Sequence, residues 1–113
     1  MAYMMSAAFP VRPGKEDRVR NFEKELAPHR AEWDRLCREA GDFKFFSVTL
    51  QETPMGNLMI QSFVFNDPTK VRQVFTSSAH DSWWTEWVKD VTGLDITGPN
   101  VPQPPMPAFV WQG

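Results

Sequence analysis

Two stretches, FKFFSVTLQE at 43–52 and LMIQSFVF at 58–65, are apolar on both of their sides. In an extended strand alternate side chains point to opposite faces. Phe43, Phe45, Ser47 and Thr49 therefore share one face of the first stretch, and Phe46, Val48 and Leu50 share the other. The second stretch again has apolar groups on both sides, and Pro54-Met55-Gly56-Asn57 between them reads as a hairpin loop. A sheet built on this hairpin needs cover on both faces, which limits the folds open to the chain.

The remaining elements supply cover for one face. Residues 2–11, AYMMSAAFPV, read as a strand with Tyr3, Met5, Ala7 and Phe9 on one side, ended by Pro10 and the Pro13-Gly14 turn. From Lys15 to Ala40 the positions Val19, Phe22, Leu26, His29, Trp33, Leu36, Cys37 and Ala40 recur at three- and four-residue steps, the signature of an amphipathic helix. Pro28 lies on its outer face and predicts a bend, and Gly41 is the expected stop. Asp67-Pro68-Thr69 reads as an N-cap with proline at the first helical position, opening a second helix that Gly93 ends. Leu94-Asp95-Ile96-Thr97 reads as a short last strand.

Within the second helix, Val71, Val74 and Phe75 share one face, while His80, Trp84, Trp87 and Val91 share nearly the opposite one. One straight helix cannot bury both. A break at Thr76-Ser77-Ser78 resolves the conflict, with Ser78-Ala79-His80-Asp81 as a capping box and His80 in the first turn. Trp83 and Trp84 are adjacent and diverge by ~100°, so they cannot sit equally deep.

The order β-α-β-β-α-β predicts an α+β, ferredoxin-like domain over 1–97, a four-stranded antiparallel sheet with both helices on one face. The other apolar face is most simply covered by a second copy about a two-fold axis, which makes a homodimer and a dimeric α/β barrel. Residues 98–113, GPNVPQPPMPAFVWQG, hold five of the ten prolines and read as an extended C-terminal arm. The arm ends in Phe109-Val110-Trp111, which predicts a tip that docks on a surface; a frayed tail is the plainer alternative.

Composition narrows the partners. A net charge of −2 gives no support for nucleic acid or an acidic membrane surface. No apolar run approaches the ~20 residues of a membrane span, and MAYMMSAAF lacks the basic start of a signal peptide. Cys37 is the single cysteine, so no internal disulfide forms and a cytoplasmic location is the expectation. Two distant histidines with no H-x-x-x-H or C-x-x-C predict no metal site. The absence of G-x-x-x-x-G-K-[ST] and G-x-G-x-x-G predicts no nucleotide cofactor.

The opening FPVRPGKEDRVRNF and the broken helix FTSSAHDSWWTEW resemble those of the dimeric α/β-barrel superfamily over residues 3–97. That group includes antibiotic-biosynthesis monooxygenases and haem-degrading monooxygenases, and the likeness is greatest to a small uncharacterised family of about this length. The resemblance implies a dimer and a pocket between helices and sheet; it carries no substrate with it. His29 and His80 would then approach one pocket ringed by Trp33, Trp83, Trp84 and Trp87, fit for a small aromatic molecule. A helix N-terminus favours neutral His80 and leaves it able to act as a base. The resemblance allows a cofactor-independent monooxygenase or isomerase with His80 in that role and His29 as the weaker candidate. The family's haem-degrading branch pairs its histidine with an asparagine on the first strand and a tryptophan on a later strand. Here the first strand has Ser6 and the middle strands have no Trp, so haem ranks low. Two plainer readings stand beside these. His80, like His29, is a structural histidine, and the tryptophans are core. The second hypothesis follows from them: a non-catalytic homodimeric accessory or assembly protein whose pocket is filled by its own tryptophans.

Overall fold

β3 (Leu58–Phe65) is the centre strand of a three-stranded antiparallel sheet, flanked by β1 (Tyr3–Pro10) and β2 (Phe45–Gln51). The structure is a computed structural model that describes residues 3–39, 42–67, 69–70, 82–96, 108–109, 111 and 113. Both outer strands pair antiparallel with β3, so β1 and β2 run parallel with β3 between them. The helical segments between β1 and β2 and the C-terminal helix pack on the same face.

The register sorts the side chains cleanly. Phe63 stands between Met5 and Phe46, Gln61 between Ala7 and Val48, and Met59 between Phe9 and Leu50. These rows face the helices; Met59, Gln61, Phe63 and Phe65 are all buried. The alternate rows are Met4–Val64–Phe45, Ser6–Ser62–Ser47, Ala8–Ile60–Thr49 and Pro10–Leu58–Gln51. They form a second face that no described helix covers, and Met4 is 79% and Phe45 55% exposed. The hydroxyls of Ser6 and Ser62 are hydrogen-bonded across it at 2.9 Å. Phe43 departs from the expected pattern. The strand begins two residues later, at Phe45, and the Phe43 ring stacks on Phe63 at 5.3 Å, on the helix side.

The first helix is one apolar stripe in four pieces: α1 (Glu16–Arg20), α2 (Phe22–Leu26), a 3-10 turn at Ala27–His29, and α3 (Arg30–Glu39). Pro28 has no amide hydrogen to give to the preceding turn, and the chain tightens there into the 3-10 form. A second bend, absent from the sequence reading, falls at Asn21 (φ −97°, ψ 18°). Asparagine is a weak helix former. The ladder nonetheless continues through it, since Asn21 N donates to Asp17 O and Glu25 N donates to Asn21 O. The stripe holds its phase: Val19, Leu26, Trp33 and Leu36 are buried, and Phe22, His29 and Cys37 are half-buried. Ala40 and the expected stop Gly41 lie outside the described residues; the left-handed residue seen at this exit is Asp42 (φ 57°).

Asp67 acts as predicted, its carboxylate accepting from Thr69 N at 3.1 Å, and Thr69 and Lys70 are helical. Pro68 and residues 71–81, which hold the expected break and capping box, lie outside the described residues. The helix that follows, α4, spans Trp83–Thr92 with Ser82 as N-cap, its hydroxyl accepting from Thr85 N at 3.2 Å. The expected start at Ser78 is therefore displaced, and the first turn of α4 begins at Trp83. Gly93 closes the helix as expected, in the left-handed conformation (φ 80°) with its amide on Lys89 O. The expected fourth strand is not formed by Leu94, Asp95 or Ile96: the Leu94 amide is bound to Thr92 Oγ1 at 3.1 Å, and Ile96 packs against the core. Thr97 lies outside the described residues. No helix among the described residues is long and apolar enough to cross a membrane.

Candidate functional site

The four tryptophans expected to ring a pocket do converge. Helical spacing places Trp84, Trp87, Val88 and Val91 on the sheet-facing side of α4, all buried. Trp33 reaches them from α3, with its ring 5.1 Å from that of Trp84. Trp84 and Trp87 stack at 5.6 Å and 14°. The adjacent pair splits as geometry requires: Trp84 is deep, and Trp83 is half-buried at the rim.

The centre of this cage is occupied. Phe22, from α2, lies 5.0 Å from Trp87, 5.9 Å from Trp83 and from Trp84, and 6.3 Å from Trp33. Its contacts with Trp33, Trp84 and Trp87 are edge-to-face, the arrangement that ring quadrupoles favour. Phe46 closes the sheet side, 4.7 Å from Trp33 and 5.6 Å from Trp84. The sequence pattern marked Phe22 only as one of eight apolar positions on a helix. Its central place follows from three elements meeting, which no local spacing reveals.

His29 reaches the rim and not the centre. The 3-10 turn presents its ring flat against Trp83, at 5.0 Å and 11°. His80 lies outside the described residues, so the meeting of the two histidines is not on view. Among the described residues no group of three or more His, Cys, Asp or Glu is placed to hold a metal ion.

Polar groups frame the cluster. Glu32 of α3 accepts the Trp83 amide at 2.9 Å, satisfying an orphan donor at the start of α4. Arg18 lies 6.0 Å from the Trp87 ring centre and binds Glu25 at 2.5 Å and Asp90 at 2.6 Å. Burial opposes the charge on Arg18, yet the bonds to Glu25 and Asp90 outweigh it and hold its pKa above the ordinary value. Hydrogen bonds from Arg18 and then Lys15 hold the Asp90 carboxyl below its usual range. The indole Nε1 of Trp87 is buried and has no hydrogen-bond partner among the described residues. Burial pushes the Cys37 thiol up to about 12, with the Asp34 carboxylate adding to the effect. The nucleophilic thiolate is therefore scarce, as suits inert packing.

A groove of about 370 Å3 opens beside the cluster, between α2, α3 and the start of β2; it shares Phe22, Trp33 and Phe46 with the cluster and adds Phe43 to the walls. Comparison with protein-family models, curated proteins and solved structures finds no match for this chain.

Proposed function

We propose that this chain is a non-catalytic homodimeric protein, an accessory or assembly module that acts through its surfaces. The observation that carries this reading is Phe22, which fills the space that an aromatic ligand would need between Trp33, Trp84 and Trp87. A ligand there would have to displace a half-buried phenylalanine and break its edge-to-face contacts, a substantial loss of packing. The open sheet face is the natural seat of the second copy. Val64, Ile60 and Leu58 run down its centre, with Met4 and Phe45 exposed at one end. Two such faces meeting about a two-fold axis give the dimeric α/β barrel. The ferredoxin-like assignment is supported by the order β1–β3–β2 and by the described helices lying on one face.

One observation favours a second reading. An unpartnered buried donor costs about 1–3 kcal/mol, and Trp87 Nε1 has no partner among the described residues. An acceptor on a small aromatic molecule entering past His29 and Trp83 would satisfy it. His80 would then be the candidate base of a cofactor-independent oxygenase or isomerase.

Sedimentation of the full chain across a concentration range, with a titration of aromatic metabolites followed by tryptophan emission, separates the two. The expected result is a dimer with no saturable change in emission. A monomer at every concentration sinks the barrel. A saturable response weakened by His80→Ala moves the protein to the small-molecule reading.

A further inference from the structure

We infer that the arm tip, Phe109 and Trp111, inserts into the groove of the second copy, between α2, α3 and the start of β2. The inference rests on the homodimer reading. Four observations converge on it.

The tip is unsheltered on its own chain: Phe109 is 82% and Trp111 77% exposed. Burying an aromatic side chain of this size is worth roughly 1.5–3 kcal/mol, so two bare rings at the end of an arm call for a receiving surface. The groove offers one, about 370 Å3, with the room and the aromatic walls that a ring requires.

Both cations among the groove walls are already paired, and Glu23 is the remaining charged wall. Lys44 pairs with Asp42 at 2.8 Å and Arg30 with Asp34 at 3.0 Å, so both cations already have counter-ions. Residues 98–113 contain no charged side chain.

The groove also continues onto the proposed dimer face. Phe45 is one of its walls, and Phe45 ends the open-face row Met4–Val64–Phe45.

Finally, the ends of the sheet favour exchange between copies. The chain leaves α4 beside Arg12, whose amide binds Val91 O at 2.8 Å, at the Pro10–Leu58 end of the sheet. The groove lies at the opposite end, by Val64. A two-fold axis running between the sheets and across the strands reverses these ends. It brings the partner's arm root to the end of the sheet at which this copy's groove lies. Residues 97–107, five of them proline, could span about 35 Å at the ~3.1 Å per residue of an extended proline-rich chain.

Mixed cross-linking tests this. Full-length Lys44→Cys and Trp111→Cys chains, each also carrying Cys37→Ser and a different affinity tag, are combined and oxidised. Lys44 and Trp111 are both exposed, so both new thiols are reactive. A disulfide joining the two tags supports the inference. Trp111→Ala in the otherwise native chain should then weaken dimerisation by roughly tenfold, a loss of about 1.4 kcal/mol. A double variant that closes on itself as a fast-migrating monomer places the tip on its own groove and overturns the inference. So does a dimer with no mixed disulfide and an unchanged association constant, and the homodimer reading then survives alone. A monomer at all concentrations removes both.

Discussion

The two faces of this sheet are made by the same strands, residue by alternate residue, yet they differ in kind. The helix side holds Met59 in one cluster with Trp33, Trp84 and Trp87, and Phe63 and Phe65 buried beside the Phe43 ring. The open side carries a serine row across its middle, with aliphatic groups above and below and Met4 and Phe45 in water. The first is a packed core in which Trp87 Nε1 is the buried side-chain polar atom without a partner among the described residues. The second has the mixed polar and apolar character of a face open to solvent. With the proposed dimer, stability and association would fall on opposite sides of one three-stranded layer.

Substitutions can break this contrast or sharpen it. The largest effect belongs to the sealed side. Trp87, 1% exposed, touches Phe22, Trp83 and Trp84. Trp87→Ala should lower unfolding free energy by about 3–5 kcal/mol, read from the denaturant midpoint. If Phe45→Ala, on the open side, costs the isolated subunit as much, the contrast is gone. Next comes Phe45→Glu, which puts a charge at the exposed end of the open face. It should shift the sedimenting species from dimer to monomer, weakening association by about tenfold or more (~1.4 kcal/mol), with the circular dichroism spectrum preserved. Loss of the spectrum would show that this side also holds the fold.

The smallest effect concerns the polar rim of the sealed side. Asp90 has its folded pKa lowered by Arg18 and Lys15. Its contribution to stability is therefore present above the unfolded value near ~3.9 and lost as pH falls through the folded one. Asp90→Asn should remove that part of the acid dependence. The change near neutrality should be slight, because the carboxylate is more than a third exposed and solvent screens the pair. An unaltered acid limb would mean that other carboxylates govern it.

Much of this was legible in the sequence because it is periodic. The two-faced strands, the stripe from Val19 to Cys37, the cap at Asp67 and the stop at Gly93 all follow from local spacing and backbone preference. What escaped depends on distant partners. Ser78 and Ser82 are both plausible caps, and Glu32 on another helix meets the start set by Ser82. Asn21 bends a helix whose apolar phase never falters. Phe43 leaves its strand to stack on Phe63. Leu94 has strand character, but Thr92 Oγ1 takes its amide at the helix exit. The cage was foreseen in its walls and missed in its content, since Phe22 differs from its neighbours on the helix only in where the other elements converge.

The bond from the Trp83 amide to Glu32 joins residues 51 apart in the chain. Ten-residue helices are marginal alone in water, and α4 is of that length. Its first turn is thus completed only when α3 has already come to lie beside it. Making that bond closes a long loop, whose entropy disfavours an early place for it in folding. Indole emission should report the end of folding on this chain, after helical signal has largely risen.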